Sequence, residues 1–372
     1  MSDTGTSKMT GMSKVVVIDT FEKWKEILVA WNDLLMQSRS NTLFLRWEWL
    51  YTWAECFLQT DQKLFILAVY GKGNENLIGL APFYLHLEGK GCFSLRQIRF
   101  LGSPQMASEY LDVFARKGKE KEVALQIYRF IYGEASKLWD NALLEDIPAD
   151  SLFLLHFLES LKEEGKYIEM HEGAFCPTVI LKPSWADLLV ELSSNRREQF
   201  RRHYRRLQKH GKLSHSTLDQ GKNALSRFNA LYSSWWGKSQ DDQFYAHLEK
   251  FIDISHSESL LQLDFLSIDK RDVAGLLHFR DNGNLMMYLM AVDKEFDPRI
   301  SIGNVLVGLC LEKAVCEGFN KYDFLRGSES YKFHWANGGR RSIVLNIYQK
   351  RVGALYDASI KMCKNFGRIL FR

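Results

Sequence analysis

A chain of 372 residues with 46% apolar content can bury a large core and, at the usual size of roughly 100–200 residues per domain, form two domains. A net charge of +4 excludes a globally polycationic or polyanionic protein, and only six prolines argue against extended linkers. No apolar run approaches the roughly 18 residues of a membrane span, and the six cysteines form no C-x-x-C pair, so neither a zinc site nor a redox dithiol is suggested. A cytoplasmic protein with free thiols, no metal and no permanently bound cofactor is expected.

The first residues, MSDTGTSKMTGM, are small and polar without an apolar stretch, and 1–14 reads as a disordered lead. Phe44–Phe57 (FLRWEWLYTWAECF) reads as an aromatic helix. Strand-like runs follow at LFILAVY from Leu64 and LIGLAPFYL from Leu77, then near Phe93–Leu101 and Tyr110–Phe114. A helix is expected near Lys119–Leu138, a strand at Ala142–Glu145 and a helix at Ser151–Glu164. The second half opens near Ala174–Leu181, and LDFLSI from Leu263 with VAGLLHF from Val273 echoes the earlier pair, Gly-Leu included. The pattern implies an α+β chain of two domains of similar plan, 15–173 and 174–372, with a cleft between them. Glu109, Tyr110 and Asp112 are candidates for its lining, although isolated acids are more often surface residues.

Charge is local. Between Ser193 and Lys212 the segment carries +7, leaving −3 for the rest. On a helical wheel Leu189, Phe200 and Leu207 form an apolar stripe opposite Arg201, Arg202, Arg205, Lys209 and Lys212. The bland reading is a solvated helix face. The alternative is an anionic partner, since neighbouring like charges repel: coenzyme phosphates, an anionic carrier, tRNA or a membrane surface.

Leu285–Val292 is a strand-length apolar run followed by a polar loop to Arg299 and a helix from about Ser301, with Gly318 as its stop before a strand at Tyr322–Leu325. The helix start offers unpaired N–H groups beside Arg299, a seat suited to a pyrophosphate. Next comes DFLRGSESYKFHW, Asp323–Trp335, which packs acids, an arginine, a phenol, an amine and an imidazole at a strand's carboxyl edge, where ligand sites tend to lie.

In Asp297–Gly318, Asp323, Gly327, Tyr331, Lys332 and Trp335, with Phe44–Phe57 and Ser184–Lys212, the chain resembles the double-domain acyltransferases of the GNAT superfamily. These include CelD-like polysaccharide-biosynthesis proteins, and the FemABX aminoacyltransferases are distant kin. The resemblance implies two tandem GNAT-like domains, each a mixed, mostly antiparallel sheet flanked by helices. It also implies acyl-CoA as co-substrate at Arg299, Ser301, Gly303 and Asn304, and an amine or hydroxyl acceptor. RISIGN at 299–304 departs from the usual GNAT phosphate loop by offering a single glycine.

Acyl transfer needs a proton acceptor for the amine, donors for the oxyanion and an acid for the leaving thiolate. Tyr331 is the expected acid and Lys332 the expected countercharge. Asp323, Glu329 or His334, or an ordered water, is the expected base. Arg201, Arg205, Trp47 and Trp335 are expected to bind substrate, while the tryptophans have packing as their alternative. Two rival functions remain: aminoacyl transfer from tRNA in the FemABX manner, and a non-catalytic module that binds nucleic acid or an anionic surface.

Overall fold

A computed structural model describes residues 13–73, 76–89, 94–219, 222–236, 242–255 and 260–349. Cys92, Cys363, most of the expected lead and the Trp235 and Trp236 side chains lie outside what is described. The chain divides into two compact units: 13–173 with 342–349, and 174–341. Among the described residues no helix is long and apolar enough to cross a membrane.

Unit 1 runs through β1 (Lys14–Ile18), α1 (Phe21–Glu26), α2 (Leu28–Met36), α3 (Trp47–Phe57), β2 (Lys63–Leu64), β3 (Ile66–Tyr70), β4 (Leu77–Ala81) and β5 (Phe83–Glu88). It continues with β6 (Leu95–Phe100), β7 (Phe114–Ala115), α4 (Glu120–Tyr132), β8 (Asn141–Pro148), α5 (Leu152–Glu163) and β9 (Tyr167–Ile180), whose end passes into unit 2. One sheet has the order β1-β3-β4-β7. Pro82 separates β4 from β5, and the strand then changes partners from β3 to β6; proline has no N–H to continue a ladder. Beyond β6 the sheet continues to β8 by a short parallel pairing, Gln97↔Asn141 and Ile98↔Ala142, with α4 as the crossover.

Helix starts follow local chemistry. The Ser151 hydroxyl accepts from Leu154 N at 3.0 Å and donates to Asp112 at 2.8 Å, which fixes the entry to α5. Asp112 and Glu109 are therefore buried residues of unit 1, at 1% and 2% exposure, rather than exposed acids.

Unit 2 contains α6 (Trp185–Glu191), α7 (Ser194–Leu207), β10 (Leu213–Asp219), α8 (Lys222–Trp236), α9 (Asp242–Ser255), β11 (Leu261–Ile268) and β12 (Arg271–Asp281). After these come β13 (Asn284–Val292), α10 (Ile302–Cys316), β14 (Lys321–Asp323), α11 (Ser330–Trp335) and β15 (Gly338–Tyr348). Its sheet has the order β10-β11-β12-β13-β14-β9, antiparallel except for β13 with β14. Alternation along β12 sends Ala274 and Leu276 into the core shared with α7 and α10, while Gly275 faces Phe228 and Leu231 of α8. Helix α10 is apolar nearly all round and correspondingly buried from Ile302 to Val315. At Gly308 an added Cβ would lie 2.3 Å from the Phe200 ring, so glycine is what lets α7 and α10 approach.

The two α+β units expected from the sequence are present and share one plan. Each has antiparallel strands, a helix-linked parallel pair and a final antiparallel strand. The Gly-Leu echo holds for the strands and not for their faces: a Cβ on Gly79 would meet Val123 of α4, whereas Gly275 meets α8. Several bounds differ. Residues Ser342–Tyr348 pair with β8 and belong to unit 1, so the second unit stops before the expected 372. The lead is shorter than expected, because Lys14 already pairs with Tyr70. The strand expected at Tyr110–Phe114 shrinks to β7 because Tyr110 has φ 56°, and β14 ends before Leu325, at φ 52°; both lie outside extended backbone. The helix expected to Leu138 stops at Tyr132, where Gly133 N bonds the Arg129 carbonyl. The wheel drawn from Leu189 to Lys212 spans two helices, since Ser193 caps a fresh start by accepting from Arg196 N at 3.3 Å. Helix α7 is thereby about four turns long.

Candidate functional site

Strands β13 and β14 pair over Asn284↔Lys321, Leu285↔Tyr322 and Met286↔Asp323 and then part. β14 stops, and β13 runs on to Val292 with no further strand on that side among the described residues. The start of α10 lies at this opening. A cavity of about 270 Å3 is lined there by Met290, Val292, Phe296, Pro298 and the Ile300–Asn304 turn, with Tyr331 at its wall. A second cavity of about 360 Å3 is lined by Asn195, Arg196 and Gln199 of α7 and by Ser330, Phe333 and His334 of α11. The two share Ser301, Asn304 and Tyr331.

The expected donor-seat residues come together, with different tasks. Ser301 is the N-cap of α10 without a side-chain cap bond, and its N–H donates to His203 Nδ1 at 3.3 Å. Gly303 lets α10 lie close to β13: a Cβ would stand 2.8 Å from Met290 Sδ, which would have to shift. Asn304 is buried and accepts from Trp335 Nε1 at 2.6 Å. Arg299 has an 80% exposed side chain and is held by Asp297 at 2.8 Å. That pairing raises the arginine further and keeps Asp297 well below the usual carboxylate range.

The thirteen-residue motif splits into bracing and lining groups. Asp323 is 1% exposed, pairs with Lys321 at 3.2 Å and accepts from Leu325 N at 2.9 Å, which holds the left-handed turn at Leu325. Lys332 is buried; it bonds the Arg326 carbonyl and pairs with Glu329 at 3.1 Å, closing the loop over Gly327. Neither Asp323, Lys332 nor Glu329 lines the cavities. Tyr331 lines both, and burial, with the Glu329 carboxylate second, pushes its phenol well up, so it stays protonated. His334 lines the second cavity with Nε2 buried and unbonded. Burial, then the Arg196 guanidinium, holds it below the ordinary histidine value, so it is a neutral imidazole near pH 7.

The expected substrate-binding residues separate. Trp335 is 1% exposed and wedged against Phe200 and Trp185, acting on the site through Asn304. Trp47 belongs to the core of unit 1: its Nε1 bonds the Trp24 carbonyl at 3.0 Å and its ring stacks on Tyr51. It lines neither cavity. Arg201 and Arg205 are exposed, Arg205 pairing with Glu198, and they also stay outside the cavities.

Sequence reasoning missed what α7 contributes. Its first turns supply Asn195, Arg196 and Gln199 to one cavity, while His203 and Arg206, which reaches the Arg299 carbonyl at 3.4 Å, meet the donor loop. The apolar stripe was the available signal: His203 lies between Phe200 and Leu207 on the buried face. Outside the concavity, His215, Asp264 and Cys310 are the described residues grouped closely enough to hold a metal ion.

Residues 194–333 match the sequence profile of the acetyltransferase (GNAT) domain. The chain carries a GNAT domain. It starts with α7 and reaches into α11, so it holds every cavity-lining residue named above except His334. No curated protein matches the chain. Among solved structures the fold is similar to that of FemX (TM-score 0.59, 14% identity, 92% of this chain and 99% of that one). It is also similar to L-PGS from Bacillus licheniformis (0.52, 12%, 89% and 92%). A third is the C-terminal domain of a putative lysylphosphatidylglycerol synthetase from Agrobacterium fabrum (0.51, 10%, 91% and 96%). At these identities the likeness is one of fold. It extends over both units, well beyond the GNAT domain.

Proposed function

We propose that the protein is an acyl-CoA-dependent N-acyltransferase. The donor lies in the cavity at the start of α10, and the amine of a small-molecule, sugar or cell-envelope precursor lies in the neighbouring one. The observation that carries this reading is that the two cavities meet at Ser301, Asn304 and Tyr331, room enough for a donor carbon and an acceptor nitrogen side by side. The first-turn amides of α10 have no acceptor within their own helix, and their dipole favours the coenzyme's phosphates. Beyond Met286, where the pairing with β14 ends, β13 can turn backbone groups to the donor's amides and to the oxyanion.

In the reaction the amine nitrogen attacks the thioester carbonyl, a C–N bond forms and the C–S bond breaks. His334 takes the amine proton: it is neutral and lines the acceptor cavity, whereas Asp323 and Glu329 are engaged elsewhere. Tyr331 gives its phenolic proton to the departing thiolate and recovers one from solvent or from the imidazolium. A hydroxyl acceptor fits the same geometry.

One observation favours a second reading, aminoacyl transfer from tRNA: Arg201, Arg202, Arg205 and Arg206 form an exposed cationic face on the helix that reaches the donor loop. A turnover assay with acyl-CoAs of graded chain length, run beside aminoacyl-tRNA, decides between them. Thioester consumption with release of free coenzyme A is expected. Turnover with aminoacyl-tRNA alone overturns the first reading, and salt-sensitive binding without any turnover makes the protein a non-catalytic anion-binding module.

A further inference from the structure

A second set of chemistry-bearing side chains lies between the sheet of unit 2 and α10, away from both cavities. On that face of the sheet β10 contributes His215 and Thr217, β11 Gln262 and Asp264, and β12 His278; α10 contributes Cys310 from above. Asp264 is central. Its Oδ1 stands 3.1 Å from His215 Nε2 and accepts from Thr217 at 2.7 Å, and its Oδ2 accepts from Gln262 at 2.6 Å. Cys310 Sγ is 4.0 Å from His215 Nε2. We propose that His215, Asp264 and Cys310 are the protein ligands of a zinc ion that clamps α10 onto the sheet.

Three observations carry the site. The first is size: the ligand atoms of His215, Asp264 and Cys310 lie within 4.8 Å of one another. Tetrahedral zinc, with bonds of about 2.0–2.3 Å, separates its ligands by roughly 3.3–3.8 Å. The observed 3.1 and 4.0 Å bracket that range. The second is His278, fully buried, whose Nε2 is taken by the Tyr322 hydroxyl at 2.7 Å. Its Nδ1 sits 3.1 Å from Asp264 Oδ2 and braces the carboxylate from outside the three-ligand group. The third is charge. Asp264 is 0% exposed, and the ion-pair partners it has among the described residues are these two histidines, with no lysine or arginine. A buried carboxylate of this kind calls for a cation.

The donor set selects the metal. Thiolate, imidazole and carboxylate together suit borderline zinc and not magnesium or calcium. Thr217 and Gln262 then orient the carboxylate, and the Tyr322 hydroxyl orients His278, the outer partners such sites need. Entry is available at β10, the end strand of the sheet, where the His215 side chain is 20% exposed. Zinc takes cysteine as the thiolate, so binding expels the Cys310 proton to solvent.

The full chain, dialysed against a chelator and titrated with cobalt(II) as the zinc probe, tests this. One equivalent is expected to produce the near-ultraviolet thiolate-to-cobalt band, and zinc is expected to displace it. Cys310→Ser should remove the band, and Cys316→Ser, at an exposed thiol outside the cluster, should leave it. If Cys310→Ser does not fold, His215→Gln at the half-open edge carries the test: native circular dichroism, cobalt affinity down at least tenfold, and no rise in Tm with zinc where the parent protein rises. Absence of a band at saturating cobalt overturns the site, as does a band that survives Cys310→Ser. An unchanged parent Tm with one equivalent of zinc leaves only a hydrogen-bonded cluster.

Discussion

The two units contain the same crossover, a helix joining two parallel strands, and use it differently. In unit 1, β6 and β8 pair over two positions, and α4 begins with Glu120 and Glu122 in its first turn, Glu122 tied to Lys119 at 2.8 Å. In unit 2, β13 and β14 pair over three, and α10 opens with Ile302, Gly303 and Asn304, with no acid in its first turn. Helix α4 is amphipathic, whereas α10 is buried over most of its surface because α7 also covers it, which brings the polar residues of α7 to the α10 N-terminus. A crossover is thus only a frame. An anion seat further requires a first turn free of carboxylates and a second helix to build the acceptor wall.

The largest effects test which tryptophans are core. Trp335→Ala and Trp47→Ala should each cost about 3–5 kcal/mol of stability, read from denaturant melts. Donor affinity, measured by calorimetry while both remain folded, should fall for Trp335→Ala, which frees Asn304, and hold for Trp47→Ala. A loss in the latter would return Trp47 to the substrate-binding set.

Tyr331→Phe should lower kcat about a hundredfold, ~2.7 kcal/mol, with KM for the donor unchanged, because only a transition-state proton donor is lost. Equal kcat would mean that the phenol only lines the cavity. Smaller still, Asn304→Asp keeps the acceptor for Trp335 Nε1 yet gives α10 the kind of charged first turn that α4 has. Donor affinity should drop about tenfold, ~1.4 kcal/mol, and an unchanged value would place the phosphates elsewhere.

The gentlest test is pH. His334 is depressed by burial and by Arg196, so the rate should fall as pH drops through a value below the usual histidine pKa of about 6.5. Removing the neighbouring cation in Arg196→Gln favours the protonated ring, so this acid limb should move to higher pH. The same sign governs stability. The unfolded chain binds the His334 proton more readily than the folded one, so stability is lost as pH falls through the unfolded value.

Much of the frame is legible in the sequence. Periodicity finds α5 and β13 within a residue, and the order strand, loop, helix and strand finds the loop and helix start that line the first cavity. Within Asp323–Trp335 the residue types mark a site but not their directions: Asp323 and Lys332 turn inward to hold a loop, while Tyr331 and His334 line cavities. Burial decides those directions, and it depends on α7, which is distant in sequence; His203 and Ser301 are 98 positions apart. The α7 wall of the second cavity was hidden for this reason. The basic segment looked remote from the donor loop only because they are remote along the chain. The cluster at Asp264 has no short spacing at all, with 49 positions to His215 and 95 between His215 and Cys310.

Strand β15 gives the molecule an order of assembly. Its residues from Ser342 pair with β8 and complete unit 1, although the whole of unit 2 intervenes in the sequence. On the ribosome β8 therefore waits with one edge unpaired, a surface that invites mispairing, while 174–341 emerges as one uninterrupted stretch. Cutting the chain at 173 leaves the first unit without that strand. The half that is translated first is the half that becomes complete last.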